Sequence, residues 1–184
     1  MESKYNIFFK VKSELSTLKK NFFIIKTIHN NQGLISPHIL ITTWFGFGLI
    51  SPMSGTWGTL AALPLAYLIL QFGSLYLLLS LILLFYILGV LSIKKYFQSN
   101  KIFDRSEIVI DEVVGVWIAL INSNTNLIKW FIVFLIFRIL DIIKPWPANY
   151  FDKNTVSPHS IMLDDVVAGV YTLIIVESFW YLVT

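Results

Sequence analysis

Residues 60–93 read LAALPLAYLILQFGSLYLLLSLILLFYILGVLSI, a run of 34 positions without one charged side chain. A helix needs about 20 apolar residues to cross a bilayer, so this run is longer than one crossing requires. Gly73 and Ser74 interrupt it with residues that favour a turn. The run therefore predicts two membrane helices, at 59–72 and 75–93, joined by a tight turn.

The composition of the whole chain agrees with a membrane protein. Of its 184 residues, 56% are hydrophobic and only 14% are charged, and the mean hydropathy is +0.71. A soluble domain of this length does not need so much apolar content. Apolar windows predict three further spans, at 107–122, 127–143 and 162–183. We expect an all-α, polytopic helical bundle with about three to five membrane-embedded helices.

The basic residues predict how this bundle is oriented. If the spans cross in turn from the cytoplasm, the cytoplasmic segments are 1–58, 94–106 and 144–161. Of the 14 lysines and arginines, only Lys129 then lies near the outer side. Positive charge concentrates in cytoplasmic loops of membrane proteins, so the pattern supports this topology.

The first part of the chain differs from the rest. Residues 1–38 scatter lysines among aromatic residues and show no cleavage site of the signal-peptide kind. They predict a basic N-terminal arm, either lying on anionic lipid or untethered, followed by a membrane domain at 39–184. The chain has no cysteine, which excludes disulfides, thiolate metal sites and cysteine nucleophiles.

The predicted topology gathers acidic residues at one membrane face. IVIDEVVGV (108–116) is echoed by IMLDDVVAGV (161–170), and each places two adjacent carboxylates at the start of an apolar run. The acids expected at the cytoplasmic ends of spans three to five are Asp104, Glu107, Asp111, Glu112, Asp141, Asp164 and Asp165. Grouped carboxylates must protonate, pair with cations or bind a metal. Oxygen ligands favour magnesium, manganese or calcium over zinc, although solvated helix ends paired with basic residues remain the alternative.

Two neighbouring features suit an anionic substrate. The glycine-rich stretch FGFGLISPMSGTWGTLAALP (45–64) precedes a helix, where backbone N–H groups can bind an anion; Gly55 and Thr56 could equally form a turn and cap. Arg138, Asp141 and Lys144 are spaced by three, which places two cations and one acid on one helix face. Together with a hard divalent cation, these parts predict phosphoryl chemistry at the level of lipid headgroups.

The same residues carry a family resemblance. The ordered blocks are GTWGTLAALP (55–64), IVIDEVVG (108–115) after Asp104, FRILDIIKPWP (137–147), FDKN (151–154) and IMLDDVVAGV (161–170). Over about residues 40–183 the chain resembles bacterial phosphatidylglycerophosphatase A, a magnesium-dependent membrane enzyme that converts phosphatidylglycerol phosphate to phosphatidylglycerol. The family commonly reads Pro-Gly-Thr in the first block, where this chain has Ser54 before Gly55.

The resemblance implies a role for each matching residue. The catalytic and metal-binding acids would be Asp111, Glu112, Asp141, Asp164 and Asp165. The phosphate-binding residues would be Arg138, Lys144, Gly55 and Thr56. Supporting roles would fall to Asp104, Glu107 and Asp152. It also implies Mg²⁺, a lipid substrate in the bilayer, no nucleic-acid partner, and a multi-pass protein of the bacterial inner membrane whose active site faces the cytoplasm; it leaves the oligomeric state open.

Two other functions are consistent with acids at a membrane face. A metal-dependent lipid-headgroup transferase of the CDP-alcohol type needs an Asp-x-x-Asp-Gly-x-x-Ala-Arg run, which the sequence lacks. A cation transporter needs ionisable residues along a path near mid-membrane. The acids in the predicted spans stop at one end, except for Glu177.

Overall fold

A computed structural model describes residues 24–25, 36–99, 105–153 and 157–183. Asp104 and most of the predicted arm therefore lie outside the described residues. Strand β1 (Ile24–Ile25) pairs antiparallel with β2 (Ile50–Ser51). All other regular structure in the described ranges is helical.

Seven α-helices build the described part of the chain. They are α1 (Pro37–Thr42), α2 (Ser54–Phe72), α3 (Leu75–Ser99), α4 (Ile110–Ala119), α5 (Leu127–Ile143), α6 (Ala148–Lys153) and α7 (Pro158–Val183). Short 3₁₀ turns occur at Phe47–Leu49 and Arg105–Glu107.

Three of these helices, α2, α3 and α7, are long and apolar enough to span a membrane. This confirms the predicted membrane-embedded helical bundle. The predicted span at 107–122 is longer than the helix it contains, since α4 has 10 residues. Helix α4 reaches only about 15 Å of a hydrocarbon core about 30 Å thick, so it does not cross by itself. Its start is fixed by Val109, whose N–H donates to the Thr42 carbonyl 3.0 Å away. Turns follow α4 until Asn126, whose side chain caps α5 through Ile128 and Lys129.

The short helix α4 forms the centre of the bundle. Val113, Val114, Val116 and Trp117 are fully buried, because α4 packs against α2, α3, α5 and α7. The Trp117 indole N–H donates to the Ala62 carbonyl at 3.1 Å, which satisfies its polar atom inside the core. Helix α4 is thus held on all sides, and its first turn is fixed relative to its neighbours.

Gly115 of α4 and Gly169 of α7 lie at the closest approach of these two helices. A Cβ on Gly169 would overlap the carbonyl oxygen of Gly115, and a Cβ on Gly115 would lie 2.6 Å from the Asp165 carbonyl oxygen. Small residues allow helix backbones to approach in this way. The contact holds the acidic starts of α4 and α7 side by side.

We expect Gly169→Ala to destabilise the protein by roughly 1–3 kcal/mol, because the new methyl group forces two backbones apart. The measurement is the thermal unfolding midpoint in detergent. Gly89→Ala is the matched control, since its Cβ would meet no backbone atom of a neighbouring helix but the flexible thioether end of Met162 at 2.9 Å and the side chain of Ile110 at 3.3 Å. Equal midpoints for the two variants would contradict the close-packing role of Gly169.

Residues 43–49 enter the bundle, although the predicted topology assigned 1–58 to a cytoplasmic segment. The Trp44 ring lies edge-on to Phe85 of α3 and Trp117 of α4, with centroids 5.3 and 5.7 Å apart. Every backbone N–H from residue 43 to 49 donates to an acceptor in residues 39–46. This self-satisfied loop suits an apolar environment, and it leads the chain into α2.

Candidate active site

A cavity of about 450 Å³ lies where α4 and α7 begin and α5 ends. All five acids predicted to bind metal line it, namely Asp111, Glu112, Asp141, Asp164 and Asp165. Arg138, Lys144, Gly55 and Asp152 also reach the cavity wall. Segments far apart in the sequence therefore contribute to one site.

Three of the acids form a tight group. Oxygen atoms of Asp111, Glu112 and Asp165 all lie within 4.8 Å of one another. Asp111 and Asp165 are buried, with exposed fractions of 8% and 3%. The group exists because α4 presents its first turn, with two adjacent acids, to the start of α7 across the Gly115–Gly169 contact. We call these three residues the acid triad.

The other two acids are paired with cations. Arg138 Nη1 lies 2.6 Å from Asp141 Oδ2, as the i, i+3 spacing allows. Lys144 Nζ donates to Asp164 Oδ2 at 2.6 Å and to Asp152 Oδ1 at 3.1 Å. Three of the five carboxylates thus form the acid triad, and the other two form ion pairs with Arg138 and Lys144.

Lys144 turns back over the cavity from the end of α5. It adopts a left-handed backbone conformation with φ of 49°, which ends the helix and redirects the chain. Burial lowers the pKa of Lys144, but the attraction of Asp164 and its hydrogen bond outweigh burial, so the pKa is raised above the ordinary lysine value. Lys144 therefore stays cationic throughout the neutral range.

Two buried polar atoms at the site have no hydrogen-bond partner within the described residues: Glu112 Oε2 and Arg138 Nε. Buried polar atoms are almost always satisfied. An unsatisfied carboxylate oxygen in a group of three acids fits a hard cation that takes oxygen ligands. An unsatisfied guanidinium N–H beside them fits an anionic oxygen.

Gly55 allows the acid triad and Arg138 to reach the N-terminus of α2. A Cβ at this position would overlap Glu112 Oε1 and lie 3.1 Å from both terminal nitrogens of Arg138. Arg138 also contacts α2 further along the helix, where its Nη1 lies 3.4 Å from Thr59 Oγ1. Gly55 is thus required for close approach.

The predicted glycine-rich anion loop is wrong in its boundaries. Helix α2 begins at Ser54, so Gly55 and Thr56 lie in its first turn. The Thr56 and Trp57 amides already donate to the Met53 carbonyl, at 2.9 and 3.3 Å. Thr56 is not among the described residues that line the cavity.

The three residues predicted to have supporting roles differ in their positions relative to the cavity. Asp152 lies at the rim, paired with Lys144. Glu107 is buried, accepts a hydrogen bond from the Tyr96 hydroxyl and is not among the described cavity residues. Of the six expected acids in the described ranges, five therefore line the cavity. Asp104 lies outside the described residues.

Several residues that line the cavity were not predicted from the sequence. Ser54 and Ser106 both line the cavity, and the Ser54 hydroxyl donates to the Ser106 carbonyl. This bond ties the start of α2 to the turn before α4. Ser54 could have been predicted from the sequence, because it directly precedes Gly55, which was a predicted site residue.

Comparisons with known proteins identify the family of this chain. A family profile described as Phosphatidylglycerophosphatase A matches residues 40–179. A Haemophilus influenzae protein named phosphatidylglycerophosphatase A is 36% identical over 149 residues, covering 80% of this chain and 91% of its own length. An Escherichia coli protein of the same name is 40% identical over 140 residues, covering 73% and 78%.

A further relative carries another name. A Bacteroides thetaiotaomicron protein, provisionally named a phosphatidylinositol-3-phosphatase, is 36% identical over 145 residues, covering 75% of this chain and 90% of its own length. No solved structure matches the chain significantly. The family match and the named relatives, together with membrane helices that end in an acid-rich cavity, show that the chain belongs to the phosphatidylglycerophosphatase A family and is a membrane phosphatase.

Proposed function

We propose that the protein hydrolyses phosphatidylglycerol phosphate to phosphatidylglycerol and inorganic phosphate, with Mg²⁺ as its cofactor. The observation that carries this proposal is the acid triad beside Arg138 and Lys144, in a cavity at the end of membrane helices. The names of the Haemophilus influenzae and Escherichia coli relatives support the substrate.

The acid triad suits the metal. Asp111, Glu112 and Asp165 would supply oxygen ligands, and the buried Glu112 Oε2 has no hydrogen-bond partner in the described chain. Hard divalent cations prefer such ligands, whereas zinc favours nitrogen and sulfur. When bound, Mg²⁺ would supply Lewis-acid stabilisation of charge on the phosphoryl oxygens.

The chain's own cations would position the phosphate. Arg138 has a guanidinium N–H without a partner in the described chain, and Lys144 holds a fixed positive charge beside Asp164. Hydrolysis forms a bond from water oxygen to phosphorus and breaks the bond from phosphorus to the lipid oxygen, which takes up a proton. Catalysis of phosphoryl transfer depends mainly on positioning and charge stabilisation. A buried carboxylate of the site would receive the proton that the water loses.

We also propose that the site faces the cytoplasm at the bacterial inner membrane. The cavity lies at the end of the bundle where Ile110 meets Gly89, near the exposed Lys94 and Lys95 of α3. Lys144 and Lys153 lie on the segment that leaves the same end of α5. This concentration of positive charge supports a cytoplasmic orientation.

Purified protein in detergent tests the proposal. We expect phosphate release from phosphatidylglycerol phosphate with Mg²⁺ and a loss of at least about a hundredfold with EDTA, reversed by added Mg²⁺. Phosphatidic acid and phosphatidylinositol 3-phosphate are the comparison substrates. Activity that is unchanged by EDTA would contradict the metal, and an equal or faster rate on either comparison lipid would contradict the substrate.

A further inference from the structure

A second cavity, of about 460 Å³, lies between α2 and α5. Its walls are apolar and include Leu60, Leu63 and Pro64 from α2 and Trp130, Phe131 and Phe134 from α5. We call this cavity the α2–α5 groove. Its volume lies in the range of small-molecule sites.

Two contacts join α2 and α5 along the groove. In the first contact Arg138 Nη1 lies 3.4 Å from Thr59 Oγ1. In the second contact the Tyr67 and Trp130 rings meet edge to face, with centroids 5.8 Å apart. On each helix the two contact residues are eight positions apart, which corresponds to a length of about 12 Å. The groove is therefore long and narrow.

The groove and the active-site cavity have neighbouring wall residues on both α2 and α5. Arg138 lines the active-site cavity, and its contact Thr59 directly precedes Leu60 of the groove. Phe134 lies one helical turn before Arg138 on α5 and lines the groove. A molecule whose phosphate binds at Arg138 would thus meet an apolar channel directly beneath its polar part.

The groove is open to the surroundings of the bundle. Leu60 is 40% exposed and Phe131 is 63% exposed, so a chain could enter from the side. The length of about 12 Å is close to half of a hydrocarbon core about 30 Å thick. The groove is therefore comparable in length to the apolar part of one leaflet.

We propose that the α2–α5 groove holds one acyl chain of the lipid phosphate while the phosphate lies beside Arg138. This inference rests on the proposed function, because it assigns the apolar part of the same substrate. The groove then aligns the headgroup with the acid triad, and a substrate without a long acyl chain loses that alignment.

The experiment fills the groove and compares two substrates. Leu60→Trp places a large side chain in the groove, and Leu68→Trp is the matched control, because Leu68 is an exposed leucine of the same helix outside the groove. Both variants and the wild type receive long-chain phosphatidylglycerol phosphate and a short-chain analogue with the same headgroup, in mixed micelles with Mg²⁺.

We expect Leu60→Trp to raise the KM for the long-chain lipid by about tenfold, since about two methylene groups lose their apolar contacts. Its kcat/KM for the short-chain analogue should equal that of the wild type, and Leu68→Trp should change neither value. Equal KM values of the two variants for the long-chain lipid would overturn the acyl-chain assignment. The proposed function would still stand in that case, provided that the wild-type protein releases phosphate from this lipid.

Other outcomes also separate the alternatives. A drop in kcat on both substrates for Leu60→Trp alone would overturn the assignment, because it indicates a disturbed active site. An altered oligomeric state of Leu60→Trp on size exclusion, with unchanged kinetics, would assign the groove to a second copy of this chain. If the wild type releases no phosphate from either lipid, the proposed function itself fails, and the acyl-chain assignment fails with it.

Discussion

Asp165→Asn is expected to lower kcat for phosphate release by about a thousandfold, since stabilisation of transition-state charge is the largest catalytic term at such sites. Asp165 is buried at 3% exposure and shares the acid triad with Asp111 and Glu112. Asparagine keeps nearly the same shape but removes the negative charge that would hold the cation. The measurement is initial phosphate release at saturating substrate over a range of Mg²⁺ concentrations.

A thermal unfolding measurement in EDTA shows whether this loss reflects the chemistry or the fold. Removing one of several mutually repelling carboxylates relieves repulsion, so the midpoint of Asp165→Asn should equal or exceed that of the wild type. Asp152→Asn is the control at the cavity rim, where the side chain of Asp152 is 39% exposed and pairs with Lys144. It should lose less than about tenfold, because an exposed ion pair contributes little. A variant at residue 165 that keeps a tenth of wild-type kcat would contradict the role of the triad.

Arg138→Lys is expected to lower kcat by about a hundred- to a thousandfold, the range found when one donor to a developing charge is removed. The guanidinium of Arg138 contacts Asp141 and Thr59 through one terminal nitrogen, and its Nε has no partner in the described chain. Lysine keeps the charge but cannot present several N–H groups in a fixed plane. The assay is kcat and KM for phosphatidylglycerol phosphate at saturating Mg²⁺.

The matched control for Arg138→Lys is Lys129→Arg, the opposite substitution at the other end of α5. Lys129 is buried and pairs with Glu177 at 2.7 Å, far from the active-site cavity. Lys129→Arg should leave kcat within about threefold of the wild type, because it keeps the charge and does not touch the site. If Arg138→Lys also stays within that range, the planar geometry of the guanidinium is not needed for catalysis.

The boundaries of the membrane helices show how far the sequence prediction reached. The run at 60–93 predicted two helices with a turn at Gly73-Ser74, and the structure has α2 and α3 with that break. The predicted third span was longer than α4, because its apolar window extends beyond the helix. Hydropathy measures apolar content but not where backbone hydrogen bonds begin and end, and the bond from Val109 to Thr42 cannot be read from composition.

The candidate site was predictable only as a group of residues. Asp111, Glu112, Asp164 and Asp165 were found from two similar motifs, and all four line one cavity. Their division into a triad and ion-paired acids was not predictable, because it depends on which way each helix is rotated. The role of Thr56 stays a prediction: the residue lies in the first turn of α2 and is not among the described residues that line the cavity.

The order of residues by itself determined that this protein is a membrane-embedded helical bundle with acids and cations at one end, because hydrophobic length and charge distribution are properties of the chain. It also carried the family motifs. Only the tertiary structure decided that Asp111, Glu112 and Asp165 meet, whereas Asp141 and Asp164 form ion pairs with basic residues. It also decided that an apolar groove lies one helical turn from Arg138. The physical reason is that these contacts depend on the rotation and depth of separate helices, which the close approach of Gly115 and Gly169 fixes.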